Sequence, residues 1–405
     1  MIQVAVMGYG TVGSGVVEVI EKNKEEINKK SNEALNIKYI LDLRDFPGDP
    51  YEDKIVHDVE VILNDPEVQI ICETMGGLKP AYEFTKRALM SGKSVCTSNK
   101  ELVAKHGVEL IQIAKEKNCN FLFEASVGGG IPIIRPLNQS LTADEITEIT
   151  GILNGTTNFI LTKMDKEGLA FDTVLKEAQA LGYAEKDPTA DVEGYDACRK
   201  IAILSSLAYG LHVNFEDIYT EGITKITDVD FKYARKLGLS IKLFGKSKKV
   251  DGKCYAMVAP FMISTDSPLY CVNGVLNGIL VNGEVIGDVM FYGSGAGKYP
   301  TASAVVADIV DEAKHLNKHI MSIWSNEKLQ LEDIKSNKCK FFVRVEGAAS
   351  ERLKDIEEVF GKVTPVTLDD VTGEFAFITE VITEADYEEF AAKISGIKQR
   401  IRVEA

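Results

Sequence analysis

Several classes of protein are excluded by what the sequence lacks. Its seven cysteines (Cys72, Cys96, Cys119, Cys198, Cys254, Cys271 and Cys339) are an odd set without a Cys-x-x-Cys pair, and several lie in apolar runs. They read as reduced core residues, with no disulfide framework. Histidine is scarce at five; His315 and His319 stand one helical turn apart, but the glutamate that accompanies such a pair in zinc proteases is missing. Basic charge is outweighed, with 46 Lys and Arg against 61 Asp and Glu for a net −15, and no basic stripe with interleaved aromatics occurs, so no nucleic-acid partner is expected. No stretch approaches the roughly 18 apolar residues of a membrane span, and the start Met-Ile-Gln-Val-Ala-Val-Met-Gly carries no basic leader. A cytoplasmic protein with no membrane partner is the expectation. Internal repeats and low-complexity runs are absent as well.

With 405 residues, 45% of them hydrophobic, the chain has material for two or three cores. Residues 2 to 7 form a short apolar run, followed at once by Gly8-Tyr9-Gly10-Thr11-Val12-Gly13 and then by helical spacing through Val16, Val17, Ile20 and Ile27. In such a strand–turn–helix the first glycine makes the turn and the second lets the backbone reach a pyrophosphate. The third lets helix pack on strand, and the helix N-terminus faces the phosphates. A dinucleotide site is the favoured reading; a plain strand-to-helix turn is the alternative. The second strand, Ile37 to Leu43, runs into Asp42-Leu43-Arg44-Asp45. An acid there would accept from a ribose 2′-hydroxyl and an arginine would pair with a 2′-phosphate, so NADP and NAD both stay open, with Arg44 favouring NADP.

Strand and helix patterns alternate up to Asn120–Glu124 and predict a doubly wound parallel sheet of the Rossmann type. Lys100, in the loop Ser98-Asn99-Lys100, is placed to meet an anion. The glycine-rich hinge Glu124-Ala-Ser-Val-Gly-Gly-Gly-Ile-Pro132 closes a first domain of residues 1–135, to which 295–325 return through Gly297 and the helix after it. Residues 136–294 form an α+β substrate and dimerisation domain, with Asn-Gly turns expected at 273, 277 and 282. Residues 338–405 alternate as βαββαβ, a ferredoxin-like third domain.

Within the middle domain, Gly182-Tyr-Ala-Glu-Lys-Asp-Pro-Thr-Ala-Asp191 is a turn-rich loop that delivers the chain into a helix carrying Asp196 and Lys200. A solvated i,i+4 ion pair is the ordinary explanation of those two residues. Both, however, sit at the edge of the apolar face made by Ala197, Ile201, Leu204 and Leu207. A lysine on that side must keep a carboxylate near or lose its proton, which, beside Glu185 and Asp191, points to proton transfer.

These motifs, in this order, resemble homoserine dehydrogenase over nearly the whole chain: the glycine-rich start, Thr97-Ser-Asn-Lys-Glu, the Glu124 hinge, Gly151-Ile-Leu-Asn-Gly-Thr-Thr-Asn158, and the Gly182–Lys200 stretch. The terminal segment resembles an ACT domain, the small-molecule sensor of many biosynthetic enzymes. The resemblance implies reversible reduction of L-aspartate 4-semialdehyde to L-homoserine by NAD(P)H, with Lys200 as proton donor, Asp196 and Glu185 holding the substrate ammonium, and Lys100 at the junction of substrate and nicotinamide. Gly182 and Asp191 complete the substrate loop, and Gly8 to Gly13, Arg44, Lys100 and Gly297 the cofactor site. Glu124, with the carbonyls of Val127, Gly129 and Ile131, matches a sodium or other alkali-cation site. Threonine as effector and a homodimer or higher homo-oligomer are also implied. A dehydrogenase of another amino-acid aldehyde, or a dinucleotide-sensing regulatory protein, are the alternatives.

Overall fold

The computed structural model describes residues 1–31 and 33–404. It divides into two compact units, Met1–Ile146 with Ala202–Phe215 and Gly293–Leu329, and Thr147–Ile201 with Glu216–Tyr292 and Gln330–Ala405.

The first unit holds β1 (Ile2–Met7), β2 (Leu35–Leu41), β3 (Ile55–Val56), β4 (Val68–Glu73), β5 (Ser94–Thr97) and β6 (Phe121–Leu122), all parallel, in the order β3-β2-β1-β4-β5-β6. β1 and β4 are buried at five of six positions each, which is why they read as near-continuous apolar runs. Val4, Val6, Ile37 and Ile70 of the sheet pack with Val16 and Ile20 of the helix Thr11–Lys22 and with Ala302, Val305 and Ile309 of the helix Lys298–Lys314. The strand order reverses between β1 and β4, the place where such sheets open a ligand crevice.

The second unit is built on a mixed sheet of β7 (Ile146–Ile152), β8 (Tyr219–Thr220), β9 (Ser240–Val250), β10 (Lys253–Ile263), β11 (Leu276–Gly283), β12 (Gly287–Ser294), β13 (Lys338–Glu346), β14 (Val363–Val366), β15 (Glu374–Thr379), β16 (Ile382–Thr383) and β17 (Ile397–Val403). Its order is β12-β11-β7-β9-β10-β17-β13-β15-β14, with β8 beside β10 and β16 beside β13. The run β17-β13-β15-β14, with helices Ala349–Phe360 and Glu384–Ala391, is the ferredoxin-like arrangement. β17 also pairs in parallel with β10, Phe261 opposite Arg402 and Met262 opposite Val403, so the terminal segment continues one sheet.

Two Asn-Gly pairs expected at turns lie inside β11 instead. At Gly278 a Cβ would come within 2.9 Å of Val272 Cγ2, so that glycine serves close packing, and only Asn273-Gly274 turns the chain, with Gly274 at φ 64°. β9 has no counterpart in the sequence reading. Lys242 is 1% exposed and Lys246 and Lys248 are half-buried, so lysines occupy positions where an apolar alternation would have announced a strand.

Candidate active site

Among the described residues of the second unit, Lys200 and Asp196 form the centre of a buried polar network. β7 ends at Ile152, and Leu153 presents its carbonyl to Lys200 Nζ at 2.7 Å, while Asp196 Oδ2 accepts from the same Nζ at 2.6 Å. Lys200 is 8% exposed and Asp196 2%. The close approach depends on glycine, because Gly151 of β7 and Gly245 of β9 face one another across the sheet. A Cβ on Gly245 would stand 2.8 Å from Leu153 Cδ1 and 3.2 Å from Ile201 Cβ, forcing the lysine's helix away.

Asn154 joins the network and was not singled out from the sequence. It caps the helix Gly155–Glu167, its Oδ1 accepting from Thr157 N at 2.8 Å, while its Nδ2 donates to Asp191 Oδ1 at 2.7 Å and Asp196 Oδ2 at 2.8 Å. A cap signal was legible in Asn-Gly-Thr-Thr; the second duty of the amide depends on residues far along the chain. Two carboxylates and one ammonium thus meet in this cluster. The structure brings Asp191, Asp196 and Lys200 together. Glu185 and Gly182 are exposed on the preceding loop, Gly182 at φ 76°, and the Glu185 side chain makes no hydrogen bond to this network.

In the first unit the glycine turn sorts its three glycines by function. Gly8 has φ 98°, and a Cβ there would press on Met75 N at 2.9 Å; on Gly13 it would lie 1.8 Å from the Gly8 carbonyl oxygen. Gly10 has nothing within 4 Å of the same position, so the protein's own packing does not require a glycine there, whereas a phosphate approaching the backbone does. Tyr9 N donates to Asp42 Oδ2 at 2.9 Å, and Arg44 grips Asp42 through Nε and Nη2, both at 2.9 Å. The paired guanidinium holds the Asp42 carboxyl well below the usual carboxylate range. Gly8, Gly10, Asp42, Arg44 and Met75 line a cavity of about 660 Å³, within the size range of cofactor sites. Thr11 and Val12 open the helix Thr11–Lys22, and Gly297, at φ 111°, precedes the helix Lys298–Lys314.

Lys100 begins the helix Lys100–Glu116, whose cap Asn99 accepts from Leu102 N at 3.1 Å. The loop is shaped from below by Glu73, another residue that sequence reasoning passed over. Its Oε2 accepts from Thr97 Oγ1 at 2.6 Å and its Oε1 from Met75 N at 2.8 Å; burial raises its pKa. Glu124 is 3% exposed, Oε1 accepting from Ile133 N and Ile134 N at 2.6 and 2.8 Å and Oε2 from Arg135 N at 2.7 Å. The carbonyl oxygens of Val127, Gly129 and Ile131 accept no backbone hydrogen bond identified among the described residues. The histidines are engaged separately, His315 Nδ1 with the Asp311 carbonyl and His319 Nδ1 with that of Cys119.

Residues 8–124 match the family model described as homoserine dehydrogenase, NAD binding domain, and residues 132–310 match that of homoserine dehydrogenase. A homoserine dehydrogenase of Bacillus subtilis (strain 168) is 37% identical, covering 98% of this chain and 95% of its own. The chain belongs to the homoserine dehydrogenase family. It is thereby an oxidoreductase with an NAD-binding domain, and the glycine turn lies within the stretch that matches that domain. The crystal structure of a family member from Thiobacillus denitrificans superposes with TM-score 0.89 at 36% identity, covering 100% of this chain and 98% of that one. A hyperthermophilic archaeal homoserine dehydrogenase solved in complex with NADPH has TM-score 0.65 and 30% identity, and covers 77% of this chain with 97% of its own.

Proposed function

We propose that the chain reduces L-aspartate 4-semialdehyde reversibly to L-homoserine, with Lys200 as the group that gives and recovers the proton at the carbonyl oxygen. The observation that carries this reading is a lysine side chain buried against a carboxylate and a strand-end carbonyl, on a helix that also buries Ala197, Ile201, Leu204 and Leu207. The nicotinamide cofactor, when bound, supplies or accepts the hydride. Reduction of an aldehyde leaves charge on oxygen, and an ammonium beside it meets that charge and delivers the proton. Asp196 keeps Lys200 aimed, and Asn154 holds Asp196 and Asp191 in register. Asp191 and Asp196, with Glu185 from the exposed loop 182–188, would hold the substrate ammonium. Lys100 would serve the reacting end of substrate and nicotinamide.

NADP is the preferred cofactor in this reading. Asp42 is already occupied by Arg44 and by Tyr9 N, which disfavours its use for a 2′-hydroxyl, whereas Arg44, 62% exposed at its side chain, keeps an edge for a 2′-phosphate. An alkali cation fits the free carbonyls of Val127, Gly129 and Ile131 better than it fits Glu124, whose oxygens already take three backbone N–H bonds. Residues 338–405 are proposed as an ACT-type regulatory domain that lowers activity on binding threonine, in a homodimer or larger assembly. The NADPH-complexed relative, nearly all of which corresponds to 77% of this chain, supports a catalytic core that works without the remainder.

Turnover of aspartate semialdehyde with NADPH and with NADH, beside NADPH titration, tests the assignment. Lys200→Met is expected to lower kcat by about 10² to 10⁴ while NADPH affinity stays near the parent's. A near-parental rate in that variant removes Lys200 from the chemistry. Arg44→Ala should weaken NADPH and spare NADH; equal loss of both would assign Arg44 to the turn alone. A rate unaffected by millimolar threonine would remove the effector reading.

A further inference from the structure

Where β9 and β10 meet β13 and β17, the second unit holds a half-open cavity of about 220 Å³. Two features make it a built site. Asn337 lines it while only 6% exposed, and its side-chain amide has no hydrogen-bond partner among the described residues. Lys248 also lines it, half-buried on β9 with its Nζ 5.5 Å from the centre of the Tyr255 ring, and it too has no hydrogen-bond partner or ion pair among the described residues. The neighbouring Lys246 is satisfied already, by Glu148 at 2.9 Å and Glu404 at 2.8 Å. One ammonium without a hydrogen bond or ion pair, with Glu148 as its nearby countercharge, therefore faces the space beside an amide that can donate. Burial and the Lys246 charge press the Lys248 pKa down, a pressure that an arriving anion would relieve. Met257 and Phe261, on the same sheet face as Lys248, and Val403 add apolar surface to the lining.

We propose that this cavity binds a small monocarboxylate with a short apolar tail. The carboxylate would accept from Lys248 and Asn337, and the tail would lie on Met257 and Val403. The volume corresponds to roughly seven water-sized positions, the size of a four- or five-carbon acid. Such a ligand is either a plain carboxylic acid or an α-amino acid whose ammonium turns to Glu404. Because β10 and β17 both contribute walls, the ligand ties the two halves of the sheet together and stabilises their pairing. The site is read through binding alone, so it does not depend on the enzymatic assignment; threonine binding that Lys248→Met and Asn337→Ala leave intact belongs to the effector reading above and not to this cavity.

Isovalerate and L-valine share a carbon skeleton and differ in the ammonium; L-threonine replaces one methyl by hydroxyl. Each is titrated calorimetrically into the full chain and followed by thermal unfolding. One site per chain and a raised unfolding temperature are expected for at least one probe. Lys248→Met should weaken it by about tenfold or more, the loss of a charge-assisted bond, and Lys248→Arg should retain it. Lys253→Met, on the same hairpin outside the cavity, should leave it unchanged. Binding of isovalerate and valine alike makes the ligand a plain carboxylate; binding of the amino acids alone, abolished by Glu404→Gln, makes it an amino acid. Should Lys248→Met fail to fold, loss of binding in Asn337→Ala takes its place. Absence of binding by all three probes at millimolar concentration overturns the proposal, as does binding that Lys248→Met and Asn337→Ala leave intact.

Discussion

Glu312 lies on the helix Lys298–Lys314 with no exposed surface, and neither carboxylate oxygen has a hydrogen-bond partner. Burial, reinforced by the charge of Asp308, pushes its pKa well above its ordinary value of 4.5. Below that value the group is neutral folded and unfolded. Above it the unfolded chain releases the proton while the fold retains it, so stability falls as pH rises, by up to about 1.4 kcal/mol per pH unit, until the folded pKa is reached. Glutamine ionises in neither state. Glu312→Gln is therefore expected to unfold at a higher temperature than the parent near about pH 8, with the advantage shrinking toward about pH 5. A difference that does not change with pH would mean that the carboxylate is ionised in the fold.

The first strand, turn and helix show how one motif divides its labour. Gly13 is required by its own backbone, since a Cβ would lie 1.8 Å from the Gly8 carbonyl oxygen, whereas the corresponding space at Gly10 is open. Gly10 also has φ −84°, which alanine adopts readily. Gly10→Ala is thus expected to keep the parent's thermal stability to within about 1 kcal/mol and to lose dinucleotide affinity. Gly13→Ala should unfold at a much lower temperature. If Gly10→Ala binds NADPH and NADH as the parent does, close approach of a phosphate to that backbone is excluded. Legibility differs in the same way along the chain. The parallel strands were readable because both faces are buried, while β9 was hidden by buried lysines such as Lys242, whose Nζ donates to the Val272 carbonyl at 2.6 Å.

At the scale of the second unit, the terminal segment is held by charge as well as by pairing. Arg402, 1% exposed on β17, donates to Glu384 at 2.5 and 3.0 Å and to Glu221 at 2.9 Å. Arg344 on β13 likewise joins Asp230 at 2.7 Å and Glu374 at 2.9 Å. Removing Arg402 leaves Glu384 and Glu221 to the single guanidinium of Arg400, at 3.7 and 3.2 Å, so Arg402→Met should cost up to about 3 to 5 kcal/mol in denaturant unfolding. A loss below about 1 kcal/mol would mean that water replaces the guanidinium without penalty. Deleting residues 338–405 outright would also bare the edge of β10, so tests of regulation belong in the full chain.

The sequence by itself determined the doubly wound first sheet, the glycine turn, the βαββαβ order and the pairing of Asp196 with Lys200, because each rests on neighbours within a few residues or one helical turn. Only the tertiary structure decided that Leu153 and Asn154 complete the lysine's surroundings, that Asp42 accepts from both Arg44 and the Tyr9 amide, and that β17 joins β10. Those contacts depend on where buried polar groups find partners once strands from distant parts of the chain are side by side. Hydrophobic periodicity places the strands but carries no record of which donor will meet which acceptor.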